Sequence, residues 1–404
     1  MIDAGNTAWL ITATALVLFM TLPGLALFYG GLVRAENLLS VLMQCFSIAA
    51  LVSVLWLIAG YSLTFSGDGD VLGNLDKAVL FGVARDAADA NGLPESVFFM
   101  FQMTFAIITP ALIVGAFAER MRFGAVMLFS ALWLFLVYVP VAHWIWGGGW
   151  LADRGVLDFA GGLVVHLTAG ISALVLAILI GPRAGFPDEV TPPHAPWMTM
   201  AGACMLWVGW FGFNAGSALS AGAGAGMAMT VTHLSAATAT LVWTVIEWAK
   251  FGKPSMIGAV TGAIAGLATI TPASGYVGPG AALVLGCAGG VICYLLVGVI
   301  KRRFRIDDSL DVFAVHGVGG AVGILLAAVF ASSALGGVGY AEGQTMGGQF
   351  LVQLLGIAAT LLWSLVASVI IAKVVQAACG LRVDAETEEQ GLDLRIHGER
   401  GYNM

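Results

Sequence analysis

Asp158-Phe-Ala-Gly-Gly-Leu-Val-Val-His166 and Asp308-Ser-Leu-Asp-Val-Phe-Ala-Val-His316 decide how this chain is read. Each histidine sits in an apolar, almost uncharged run of about twenty residues, the length that crosses a hydrocarbon layer as a helix. An ionisable side chain at that depth costs roughly 3 kcal/mol unless it is paired or faces a polar cavity, so both histidines are candidates for a conduction or binding site. The two stretches match at an offset of 150 residues, Val165-His166 with Val315-His316, Gly170 with Gly320 and Asp158 with Asp308. A second echo pairs Phe28-Tyr-Gly-Gly31 with Phe213-Asn-Ala-Gly216. Such pairing implies two halves of a duplicated transporter meeting at one pathway.

Composition sets the class around these motifs. Of 404 residues, 59% are hydrophobic and 10% charged, with a mean hydropathy of +0.93. Soluble domains carry about a quarter charged residues, so this is an all-α polytopic membrane protein. The net charge of −7 argues against a nucleic-acid partner. Five cysteines, Cys45, Cys204, Cys287, Cys293 and Cys379, lie mostly in apolar runs without CxxC or Cys/His metal spacing. They read as small core residues, and no metal or cofactor is expected. The absence of a nucleophile elbow, an HExxH or another catalytic signature argues against an enzyme.

Eleven apolar segments are long enough to span: 9–31, 38–64, 97–118, 124–146, 159–181, 197–219, 226–249, 255–273, 277–300, 312–332 and 346–378. One set of loops holds Arg34, Arg120, Arg122, Arg183, Lys250, Lys253 and the Lys301–Arg305 cluster, with Lys373 and Arg382 near the last span; Lys77, Arg85 and Arg154 fall opposite. The positive-inside rule then puts the N-terminus outside and the C-terminus in the cytoplasm. The start, Met-Ile-Asp-Ala-Gly, has no basic n-region, so the first apolar run reads as a retained span. Asp158 falls at the outer end of its span and Asp308 at the inner end of its own, the inversion an antiparallel repeat requires. The expected architecture is an inverted 5+5 repeat plus one helix, with a membrane domain over 1–378 and a cytoplasmic tail over 379–404. That tail is too short to fold alone, and either dangles or packs on the membrane domain.

Four motifs carry a resemblance across the whole chain. Asp158-Phe-Ala-Gly-Gly-Leu-Val-Val-His166, Gly209-Trp-Phe-Gly-Phe-Asn-Ala-Gly-Ser217, Asp311-Val-Phe-Ala-Val-His316-Gly and Gly391-Leu-Asp-Leu-Arg-Ile-His-Gly-Glu399 together resemble the ammonium transporter (Amt/MEP) family of bacterial type. The resemblance implies a homotrimer in the bacterial inner membrane, one pore per subunit, ammonium uptake for nitrogen metabolism, and blockade by a PII-type signalling protein on the cytoplasmic face. It places the outer ammonium site on Phe105, Trp146 and Ser217, a phenyl gate on Phe105 and Phe213, and the pore lining on His166 and His316. Phe101 would complete the outer site or pack between subunits.

The residue chemistry supports these assignments independently. Aromatic faces attract a desolvated cation by about 2 kcal/mol, and a serine hydroxyl accepts an N–H. The plain alternative for the aromatics is interfacial anchoring. Asp158, just before its span, is a favoured N-cap and also projects negative potential toward a cation; the resemblance gives it that indirect role. Asp308 and Asp311 read as caps of the tenth span. His143 and His233 read as ordinary core histidines, whereas a symmetric pair of neutral imidazoles can share a proton and present a donor or an acceptor to a small ligand. A bare ion in a dry pore would face a desolvation cost of order tens of kcal/mol, so ammonium is expected to cross as ammonia. An ammonium sensor acting through a cytoplasmic partner and a Rh-type neutral gas channel are the alternatives. The tail motif suggests docking across the cytoplasmic ends of neighbouring subunits.

Overall fold

The computed structural model describes residues 1–402. Among them there is no β-strand, and each of the eleven apolar segments forms a helix. Ten have the length and hydropathy to cross a membrane: α1 (Ala4–Leu32), α2 (Ala35–Phe65), α3 (Glu95–Phe117), α4 (Phe123–Asp153), α5 (Gly162–Ile180), α7 (Ala223–Phe251), α8 (Met256–Ala273), α9 (Pro279–Arg303), α10 (Phe313–Phe330) and α11 (Met346–Cys379). The remaining one, α6 (Pro196–Gly216), is 21 residues long. Its glycines suit it to close packing rather than to lipid: a Cβ on Gly202 or Gly212 would strike the α1 backbone.

Packing repeats between the halves. Contacts α1–α3, α2–α3, α2–α4 and α3–α5 recur as α6–α8, α7–α8, α7–α9 and α8–α10. Where α5 crosses α10, a Cβ on Gly170 would collide with Gly317, and one on Gly320 would lie 2.7 Å from the Gly162 carbonyl and 2.8 Å from His166 Cβ. Each glycine of the matched pair thus lets the other half's histidine segment approach. The helix α11 covers both: its buried stripe Gln349, Gln353, Thr360, Ser364 and Ser368 faces the bundle. Gln353 bonds both backbone groups of Leu157 (2.8 and 2.7 Å), and Ser368 meets Ser172 at 2.8 Å. Polar side chains serve here as glue between helices, because burying apolar surface gains little in lipid.

The N-terminus and tail sit at opposite ends of the bundle. Asp3 N donates to the Gly92 carbonyl in the 66–94 loop. At the other end, Arg120, fully buried, donates to the carbonyls of Ala116 (2.9 Å), Asp307 (2.6 Å) and Gly181 (2.9 Å). Arg183 grips Asp307 through two 2.9 Å bonds and Glu119 through one of 3.0 Å. Burial alone would raise the Asp307 carboxyl, but the hydrogen bonds and charge of Arg183, assisted by Arg120, hold it below its ordinary value.

The tail packs on this basic end of its own chain. Arg122 N donates to the Leu381 carbonyl and Val383 N to the Arg120 carbonyl, forming a short antiparallel bridge. A short helix, α12 (Ala385–Gln390), follows, capped by Asp384. Asp393 then caps the start of α2, accepting from Leu39 N (2.8 Å) and Ser40 N (2.7 Å).

Two expectations need correction. His233 is exposed on the side of the subunit, against Trp207 (5.4 Å) and Phe211 (6.2 Å), and is not a core residue. Cys204, Cys287 and Cys379 are exposed as well, leaving Cys45 and Cys293 as buried thiols. In a membrane protein an apolar run is equally suited to face lipid or protein, so hydropathy does not report burial.

Candidate functional site

The aromatic, serine and histidine candidates line three spaces, of which the middle and the tail-end ones share Phe28 and His316 while the outer and middle ones are parted by the Phe105 and Phe213 rings. The outer one, about 280 Å³, is lined by Phe105, Trp146 and Ser217 together with Gln102 and Phe65. Phe105 meets Trp146 edge-on at 5.7 Å, and Ser217 Oγ donates to the Phe213 carbonyl at 2.9 Å, leaving its oxygen lone pairs toward the space. Gln102 Oε1 is buried without a partner, a second acceptor beside the aromatics. Phe101 does not line this space. It is wholly buried within the subunit, 5.0 Å edge-on to Phe105 and pressed on Gly216.

Asp158 is held behind the outer space. Its carboxylate accepts four backbone N–H groups, Gly161 (3.0 Å) and Gly162 on Oδ1, Leu163 (2.8 Å) and Val164 (3.2 Å) on Oδ2. Burial raises the carboxyl's pKa from its ordinary value, and the four donors work against that rise. Its own carbonyl accepts Trp146 Nε1 at 2.9 Å, so the cap of α5 also orients the indole.

Phe105 stacks on Phe213 at 4.3 Å, separating the outer space from the next. That second space is narrow, about 10 Å³, and is lined by Phe213, Phe28, Val165, Trp210, His166 and His316. It has room for about one small molecule. The histidine rings face each other with Nδ1 atoms 3.2 Å apart. Only one Nδ1 can carry the proton, so one imidazole bears N–H at Nε2 and the other a bare Nε2. His166 Nε2 is buried and unpaired. Both histidines fall on wide π-helical turns, Gly162–Leu167 and Phe313–Val318, which aim them at the crossing. His166 also stacks on Trp210 at 5.6 Å, whose Nε1 is tied to Thr271 Oγ1 at 2.8 Å.

His316 and Phe28 continue into a third space of about 410 Å³ at the tail end, lined by Tyr29, Ser309, Leu310, Asp311 and Lys301. Asp308 caps α10 through Phe313 N (2.7 Å), and Asp311 pairs with Lys301 at 2.8 Å. Sequence alone does not single out Gln102, three residues before Phe105, or Trp210, inside the Gly209–Ser217 motif. Neither type is diagnostic until its neighbours are known.

The fold and this lined path define a multi-pass helical membrane protein of the transporter class. The Ammonium Transporter Family profile matches residues 8–402. An ammonium transporter of Bacillus subtilis (strain 168) is 46% identical over 401 residues, covering 98% of each chain. Ammonium transporter Amt1 of Archaeoglobus fulgidus is 45% identical over 400 residues, covering 98% of this chain and 99% of that one. Among solved structures, a Sensor Amt protein superposes with a TM-score of 0.91 at 30% identity over 97% of this chain and 98% of that one. Candida albicans Mep2 gives 0.88 at 34% over 95% and 87%. The chain belongs to the Ammonium Transporter Family, and in a bacterium such a protein resides in the cell membrane.

Proposed function

We propose that this protein is an ammonium channel of eleven crossings, N-terminus out and tail in the cytoplasm, built as an inverted 5+5 repeat with α11 added. The recurring contacts and the reciprocal Gly170 and Gly320 crossing support the repeat. Ammonium is recruited by the faces of Phe105 and Trp146 and the hydroxyl of Ser217, under the indirect field of Asp158; Phe101 backs Phe105. It loses its proton there, and ammonia passes the Phe105 and Phe213 gate and the His166 and His316 pair. The observation that carries this reading is the hydrogen-bonded imidazole pair with a free Nε2 in a lumen of about 10 Å³. A neutral ammonia fits such a space at little cost, whereas a bare cation would face a penalty of order tens of kcal/mol. A homotrimer, with residues 379–404 as regulatory tail and a PII-type partner on the same face, completes the proposal.

Ammonium flux and current through purified protein in liposomes test it. His166→Ala or His316→Ala is expected to abolish ammonium flux or to admit potassium, because water can fill the enlarged gap. Wild-type flux and wild-type discrimination in both variants would overturn the pore assignment. The likeness to a Sensor Amt protein supports a second reading, a sensor. Ammonium binding without flux in the intact protein would decide for it.

A further inference from the structure

The two matched aspartates are not equivalent. Asp158 has both lone pairs of each oxygen taken by backbone N–H, so it cannot accept a proton without breaking a hydrogen bond. Asp308 occupies the equivalent position before α10, is 1% exposed, and makes one well-formed hydrogen bond, Oδ2 accepting Phe313 N, with the Val312 N–H nearby as a weaker donor. Its Oδ1 is buried with no partner. A buried carboxylate left half-satisfied is costly, and the cheapest remedy is a proton on the free oxygen.

Its neighbours supply little counter-charge, since Lys301, the one cation that acts on it, is shared with Asp311. Asp307 is engaged by Arg183, with Arg120 bound to its carbonyl, and on the other side Asp311 and Lys301 neutralise each other. The facing part of α3 offers the carbonyls of Gly115 and Ala116, which accept Leu310 N and Ser309 N, and α1 brings Tyr29, whose hydroxyl donates to Leu112 O. Burial first, then the Asp311 charge, push the Asp308 carboxyl up to about 7. The three residues that follow it, Ser309 to Asp311, line the tail-end space together with His316.

We propose that Asp308 is the inner proton acceptor of the transport cycle, its free Oδ1 taking the proton that leaves the histidine pair and releasing it to water in the tail-end space. This rests on the transporter reading above. At the outer site an ammonium N–H bond breaks, and the proton is handed through water to the histidine pair, where an imidazole N–H forms at the free His166 Nε2. The imidazolium then loses that proton through water to Asp308, forming a carboxyl O–H, which ionises into the tail-end space. There the proton rejoins the ammonia that crossed, so one ammonium is moved in total and the aspartate is restored.

The test compares wild type, Asp308→Asn and Asp308→Glu in liposomes, recording ammonium-evoked current and ammonia equilibration side by side. Asparagine keeps an oxygen for Phe313 N but cannot ionise, so Asp308→Asn is expected to lose at least ten-fold in current while ammonia still equilibrates. Glutamate should retain current. In the wild type, current should fall as the pH of the tail side drops below about 7, where the carboxyl stays protonated, and this dependence should vanish in Asp308→Asn. Infrared titration of the wild type should find a carboxyl band changing near pH 7, displaced in Asp308→Glu, a readout that survives if Asp308→Asn misfolds. Wild-type current in Asp308→Asn, or no carboxyl titrating near pH 7, overturns the relay alone. Wild type that equilibrates ammonia without current also overturns it and leaves the transporter reading standing, whereas neither flux nor current overturns both.

Discussion

Trp146 combines two roles on one ring. Its face is offered to the outer space, while its Nε1 is spent on the Asp158 carbonyl and is unavailable to a ligand. Selectivity therefore has to come from the ring face together with acceptors on neighbouring residues, Ser217 Oγ and Gln102 Oε1. Trp146→Leu removes about 2 kcal/mol of cation–π attraction, so competition flux should record a roughly thirty-fold loss of apparent ammonium affinity, with weakened preference over other monovalent cations. Unchanged competition would remove Trp146 from the site. Gln102 lies one turn before Phe105 on α3 and became a candidate only when its carbonyl proved to be buried and free.

The crossing of α5 and α10 is where helix geometry becomes chemistry. Two π-helical turns widen the helices at the histidines, and Gly170 and Gly320 let the backbones meet so that the rings come within 3.2 Å. A side chain at Gly170 has no flexible neighbour to displace, since it would strike Gly317 backbone. Gly170→Val should therefore cost about 1–3 kcal/mol and suppress flux. Gly226→Ala on α7, where a Cβ meets nothing within 4 Å, is the matched control and should melt at or above wild type. Equal melting temperatures for Gly170→Val and wild type in detergent would mean that the crossing is looser than this packing implies.

The whole chain is clamped at its basic end by a charged cluster that joins the α3–α4 loop, the residues after α5, the lead into α10 and the tail. Arg183→Ala would leave Asp307, fully buried, without its bidentate partner, at an expected cost of about 3–5 kcal/mol in thermal unfolding. Because the Asp307 pKa is depressed when folded, its contribution is complete above the ordinary value of 3.8 and fades as pH falls below it. The melting temperature of the wild type should thus decline more steeply than that of Arg183→Ala on acidification below about 4. Truncation after Val383 keeps the bridge to Arg120 and Arg122 but removes α12 and the Asp393 cap on α2. Such a protein should retain its oligomeric state and every pore residue while losing flux or its response to a PII-type partner. Full transport with unchanged inhibition would make the tail a passive appendage.

The membrane class, the eleven helices to within a few residues at most ends, and the pairing of His166 with His316 were legible in the chain alone. Apolar runs of spanning length have few folded alternatives, and an ionisable residue inside one carries its own flag. Legible too was the capping tendency of Asp158, since caps are local. What required the tertiary structure was everything decided by which face of a helix meets protein. His233 and three of the five cysteines turned outward, although they too belong to helices of spanning length that carry few charges. Trp210 acquired its place by stacking on a histidine 44 positions away in the chain. The contrast between Asp158 and Asp308, alike in spacing yet unlike in partners, also arises only in three dimensions, because the number of backbone amides that converge on a carboxylate depends on how the preceding loop is folded.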